Sequence, residues 1–196
     1  MTPPPPDPVR DRVVVAVSGG SGVTYAFDLL EQLRPADVEV HLVVTAGAKQ
    51  VLPSETDATL HDLHAAADVV HDDRDLGAAI ASGSFRFRSM AIVPCSAGTL
   101  AKVATGFTDN LVARTAHVAL KERRPLVAVV REAPYSRPML ENMLKAHDAG
   151  TLIVPASPGF YHRPETLADA VGSVTARVLD HLGVAHDRSP RWKEGG

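Results

Sequence analysis

Cysteine is nearly absent: Cys95 stands alone, so no disulfide can close within the chain and a reducing compartment is expected. Aromatic residues make up only 5%, and much of the apolar content is Ala and Val, which suits packed α/β layers better than a β-sandwich. Neither charge sign dominates. A formal net charge of -3 argues against a nucleic-acid binder, which carries a basic face. No uninterrupted apolar run reaches the roughly 20 residues that span a bilayer, and the first residues lack the apolar stretch of a secretory signal. The expectation is a cytoplasmic protein with no membrane partner. Repeats and low-complexity stretches are missing beyond the head of the chain, where Pro3, Pro4, Pro5 and Pro6 cluster. Residues 1–10 are expected to be a disordered, polyproline-like tail. Residues 11–192 are expected to form a single domain, with Lys193 to Gly196 frayed.

What is present is a core-sized apolar fraction, 45% of 196 residues. Arg12 to Val17 is a continuous apolar run of strand length, the pattern of a strand buried on both faces. Val38 to Val44, Ala91 to Pro94, Leu126 to Val130 and Leu152 to Val154 read the same way. Between them, Val23 to Leu33, Thr99 to Thr105, Asn110 to Lys121, Met139 to His147 and Thr166 to Leu182 carry helical spacing. Alternating strands and helices predict a three-layer, doubly wound, mainly parallel sheet of Rossmann-like type. Ligands of such sheets bind beyond the carboxyl ends of the strands. That rule nominates the loops Ser18 to Gly22, Thr45 to Ala48, Cys95 to Thr99, Arg131 to Ala133 and Ala156 to Tyr161.

Ser18-Gly19-Gly20-Ser21-Gly22 joins a strand to a helix, where glycines allow close backbone approach and a helix start offers N–H groups to an anion. The loop is neither the G-x-G-x-x-G dinucleotide fingerprint nor a Walker A motif, which disfavours NAD and ATP and leaves a mononucleotide phosphate open. A tight turn with a capping serine is the other reading. Ser96, Ala97, Gly98 and Thr99 open a second helix with small residues and hydroxyls, suited to a heterocycle, a phosphate or ordinary capping. Cys95 reads as a buried structural residue. Arg114 and Lys121 lie seven apart on one predicted helix and so share a face. Arg131 and Glu132 end a buried strand, where they suit phosphate binding and base catalysis, or a structural ion pair. Tyr161 and Arg177 follow near the last strand. His61, His64 and His71 lack a metal-ligand pattern and read as a solvated face; no metal is expected.

In order, VAVSGGSGVTYA, ASGSF, PCSAGTLAKVATGFTDNL, LKERRPLVAVVREAP, PASPGFYHRPETL and RVLDHLG with Pro190-Arg191-Trp192 resemble the flavin prenyltransferase family of UbiX type. The match runs from Arg12 to Trp192. The resemblance implies a flavoprotein fold that joins a dimethylallyl group from dimethylallyl monophosphate to reduced FMN without metal. It implies a homo-oligomer, often a dodecamer, with sites between subunits, and prenylated FMN handed to a UbiD-type decarboxylase. It assigns Gly19, Gly20, Ser21, Thr45, Ser96, Ala97, Gly98, Thr99 and Arg131 to FMN. Lys121, Arg114, Tyr161 and Arg177 fall to the substrate phosphate, with Glu132 as acid/base and Ser21 beside the reacting phosphate. His117 stands where relatives commonly carry an acid, and Phe85 is a candidate neighbour of the prenyl tail. Rival readings are an FMN-dependent cysteine decarboxylase, against which PASPGFY replaces P-x-M-N, and a non-catalytic flavin carrier.

Overall fold

The computed structural model describes residues 11–188. The expected proline-rich tail, Pro190 to Trp192 and the expected frayed end all lie outside them. Along the chain run β1 (Asp11–Val17), α1 (Val23–Leu33), β2 (Val38–Val44), α2 (Ala46–Glu55), α3 (Leu60–Ala65) and β3 (Val69–Asp72). After a 3-10 turn at Ala79–Ala81 come β4 (Ser89–Cys95), α4 (Ala97–Thr105), α5 (Leu111–Lys121), β5 (Leu126–Val130), α6 (Arg137–Asp148), β6 (Thr151–Pro155) and α7 (Leu167–Leu182). The strands form one six-stranded sheet in the order β3-β2-β1-β4-β5-β6, and every pairing is parallel.

The period-two alternation of β1 makes the layers. Val13, Val15 and Val17 pack with Leu29, Leu30, Val178 and Leu179, which places α1 and α7 on one face. Val14 and Ala16 pack with Leu100, Leu111, Val112 and Ala116, which places α4 and α5 on the other. Strand order reverses between β1 and β4, so the binding crevice of a doubly wound sheet opens above that pair. Among the described residues no helix is long and apolar enough to cross a membrane.

Three elements go beyond the sequence expectation. β3 is a four-residue edge strand whose side chains alternate between half-buried and exposed, leaving no continuous apolar run. α2 carries Pro53 and buries only Ala48 and Leu52. α3 has six residues and rests on a capping box between Thr59 and Asp62.

β3 also brings His71 against β2. His41 Nδ1 and His71 Nε2 are 2.8 Å apart with stacked rings, and His41 Nε2 meets Glu39 Oε1 at 2.7 Å. Arg12 donates to the same Glu39 oxygen and lies 4.7 Å over the Phe85 ring. The His41 contact, followed by the Arg12 one, holds the Glu39 carboxyl below its ordinary range. Burial, then the charge of His41, lowers the His71 pKa from its ordinary 6.5. His71, expected on a solvated face, is instead half of an internal pair, and the fold favours its neutral form. Burial also lowers His64 on α3. Folding stability contributed by these groups is full above pH 6.5 and is lost as pH falls through their lower folded values. Denaturant titrations from pH 8 to 5 should show that decline, and His71→Gln should flatten it.

Candidate active site

Ser18 is fully buried at the carboxyl end of β1. Its hydroxyl donates to the Pro94 carbonyl at 2.9 Å and accepts the Ser96 N–H at 2.8 Å. Its own N–H also reaches the Pro94 carbonyl. The ends of β1 and β4 are thereby tied at the point where the strand order reverses. The glycine turn beyond Ser18 is equally constrained. A Cβ on Gly19 would stand 3.0 Å from the Gly47 backbone, and Gly22 has φ 107°.

The start of α1 departs from the sequence expectation. Gly22 is its N-cap, with no side-chain cap of its own. The N–H groups of Gly22 and Val23 donate to Glu55 Oε2 at 2.8 and 2.9 Å. This helix start is therefore served by the chain's own carboxylate instead of lying open to a ligand phosphate. Burial works to raise the Glu55 pKa. The Ser21 hydroxyl, the N–H groups of Val23 and Gly22 and the charge of Arg131 outweigh it, and the net shift is downward. Arg131 Nε donates to the Ser21 carbonyl at 3.3 Å. The same guanidinium acts on Tyr25, whose phenol is raised chiefly by burial. Ser21, Glu55 and Arg131 thus form one cluster at the mouth of the crevice.

Beside it lies a cavity of about 480 Å³ lined by Gly19, Thr45, Ala46, Gly47, Asp73, Ser96, Gly98, Thr99, Lys102 and Asn110. Thr45 caps α2 by accepting the Ala48 N–H, and Ser96 caps α4 by accepting the Thr99 N–H. The Ser96 hydroxyl donates to Thr99 Oγ1 at 3.0 Å. Two helices therefore begin at this cavity with hydroxyl caps, next to backbone that only glycine permits. Added Cβ atoms would close the Gly19–Gly47 approach, whereas the space at Gly98 is open. A flat heterocycle with a polyhydroxyl chain and a phosphate fits that donor set.

Other expected site residues sit elsewhere. Glu132 is exposed and accepts the Ala133 N–H, so it makes no ion pair with Arg131, which turns to Ser21. Arg114 donates to the Ala81 carbonyl at 3.1 Å. Lys121 pairs with Glu122 over Gly83, beside the loop that Arg124 fastens through the carbonyls of Gly83 and Phe85. That loop reaches the amino end of β1, where Arg88 N–H meets the Arg12 carbonyl. Lys121 also precedes β5 whereas Arg131 follows it. The length of β5, about 16 Å for its five residues, separates its two ends. Tyr161 and Arg177 line a separate groove of about 380 Å³ along β6 with His181, and Arg177 pairs with Asp180 at 2.9 Å. Phe85 packs on Arg12 and His41 of its own chain. Cys95 is buried, and burial alone pushes its thiol up to about 12, which removes it as a nucleophile.

Glu55, Asp73, Lys102 and Asn110 were missed from sequence. Asn110 left a trace, since an Asn before a helical run signals a cap. Glu55 left none, because its partners lie 32 and 33 positions away.

A family model described as Flavoprotein matches residues 3–170. The chain is 64% identical over 183 residues to flavin prenyltransferase UbiX of Deinococcus radiodurans, covering 93% of this chain and 94% of that one. Among solved structures it is similar to AnUbiX (PadA1) in complex with FMN and dimethylallyl pyrophosphate. There the TM-score is 0.92 at 41% identity, over 95% of this chain and 100% of the other. A dodecameric FMN-dependent Ubix-like decarboxylase from Escherichia coli O157:H7 superposes with a TM-score of 0.90 at 43% identity, over 93% and 100%.

Glu55→Ala should lower stability at neutral pH by about 1 kcal/mol, the worth of a charged helix cap. Because the Glu55 pKa is depressed, its contribution is present above the ordinary 4.5 and fades below it. Urea unfolding of both proteins at pH 7 and pH 4 should show the gap narrowing in acid.

Proposed function

The chain belongs to the UbiX-type flavin prenyltransferases, and on that premise we propose that it transfers the dimethylallyl group of dimethylallyl monophosphate to reduced FMN. It is a transferase that makes prenylated FMN. The observation that supports the residue assignment is a hydroxyl-capped, glycine-walled cavity beside the Ser21 turn, to which Arg131 is tied, at the carboxyl edge of one sheet.

Gly19, Gly20, Ser21, Thr45, Ser96, Ala97, Gly98, Thr99 and Arg131 hold the flavin. Reduced FMN supplies an electron-rich central-ring nitrogen, which bonds to the allylic carbon as its bond to the phosphate oxygen breaks; the remaining C=C then takes up a proton, and the adjacent aromatic carbon bonds to the cationic carbon so formed and closes a fourth ring. Lys121, Arg114 and Arg177, with the Tyr161 phenol, grip the departing phosphate as negative charge grows on it. Ser21 borders that phosphate. Glu132 accepts the aromatic proton released by ring closure as a general base.

These groups stand at opposite ends of the sheet and in separate grooves of one chain, so the site is completed by neighbouring protomers. A dodecamer like that of the Escherichia coli relative supplies such neighbours. The working compartment is the cytoplasm, and the product passes to a UbiD-type decarboxylase. Residues 11–192 act as one flavin-binding domain.

Anaerobic incubation with reduced FMN and dimethylallyl monophosphate, followed by mass analysis of the flavin, tests the reaction. The flavin should gain one prenyl unit, and Glu132→Ala should slow the gain at least about 100-fold, the low end for a general base. Unaltered FMN, or an unimpaired Glu132→Ala enzyme, contradicts the assignment.

A further inference from the structure

We infer that Lys102 is the residue by which this chain selects FMN over riboflavin, its ammonium pairing with the flavin phosphate; the inference rests on the hydroxyl-lined cavity being the flavin site. Lys102 is on α4, three residues beyond Thr99 and six beyond the cap Ser96, so successive turns bring it to the same wall. Both Thr99 and Lys102 line the cavity, as does Thr45 across from them at the start of α2. Hydroxyls, two helix starts and an ammonium are a phosphate donor set.

The acids around Lys102 sort themselves by what already engages them. Asp73 lines the cavity, but its Oδ1 accepts the Val112 N–H at 3.1 Å and its Oδ2 accepts the Asn110 amide at 3.0 Å. Its charge is thus set against the start of α5, which also lends the Leu111 N–H to the Asp73 carbonyl. Asp109 is different. Its Oδ1 and Oδ2 lie 2.7 and 3.0 Å from Lys102 Nζ, and its side chain is 43% exposed. An exposed single carboxylate is a weak partner. A phosphate dianion that meets the same ammonium together with Thr99 and the α4 start is a stronger one. Asp109 is the stand-in that holds the Lys102 head at the cavity until the phosphate takes its place.

Riboflavin differs from FMN only in lacking the phosphate, so comparing the two flavins isolates this contact. Dissociation constants for both are measured on the full-length oligomer by quenching of flavin fluorescence. The native protein should prefer FMN. Lys102→Met should cut that preference about tenfold, the scale of one charge-assisted hydrogen bond, with riboflavin binding unchanged. Lys102→Arg should keep most of the preference. Asp109→Asn, which removes the competitor, should raise it. An unchanged preference in Lys102→Met overturns the inference, as does equal loss of both flavins, which would put Lys102 against the ring or in the fold. A native protein that binds neither flavin would instead sink the flavin reading itself.

Discussion

The buried Ser18 hydroxyl is the joint on which the crevice depends. From just beyond β1 it donates to the Pro94 carbonyl near the end of β4 and accepts the first amide beyond β4, at the place where a doubly wound sheet opens. Both hydrogen bonds are shielded from water, so neither strand end can shift without stranding a polar group. Everything downstream inherits that position. The Gly19 turn is pressed against Gly47, Ser96 is set to cap α4, and the Ser21 carbonyl is placed under Arg131.

Charge is distributed around this joint in separate patches of the protomer. At the carboxyl edge, Glu55 occupies the start of α1 and Arg131 leans on the turn beside it. At the amino edge, Lys121 and Arg124 flank the Gly83 loop. Arg177 lies along β6, already engaged by Asp180, whose other oxygen meets the buried His186. Each cation is held by a local partner, which fixes its geometry at small cost while leaving it able to exchange that partner for a phosphate. The proposed function assigns to the assembly of protomers the step that turns separate patches into one anion grip.

The central architecture was legible because strands buried on both faces write unbroken apolar runs, and β2 and β5 match their expected bounds residue for residue. α1 likewise follows directly from its spacing. What escaped notice was held by long-range or edge contacts. β3 is half exposed, so its alternation is too short to register, and α2 tolerates Pro53 because little of it is buried. The site divides the same way. Ser96 announces itself as a hydroxyl opening a helix, and Thr45 as one in a loop just beyond a strand. Glu55 cannot, since nothing near it in sequence marks it as the cap of a helix that began 32 residues earlier. Lys102 was passed over because a lysine on an amphipathic helix ordinarily faces solvent, and only the fold shows it lining the cavity.

A mixed-oligomer experiment tests most directly whether the site is shared between protomers. Lys121→Ala and Glu132→Ala chains are each purified, then co-expressed so that both enter the same assembly, and flavin prenylation is followed by mass. If the two residues serve a site from different chains, the mixed oligomer recovers a measurable fraction of native turnover while each parent stays inactive. A mixed assembly as inactive as its parents would mean that both residues act from one chain, and the division of the site between neighbours would be wrong.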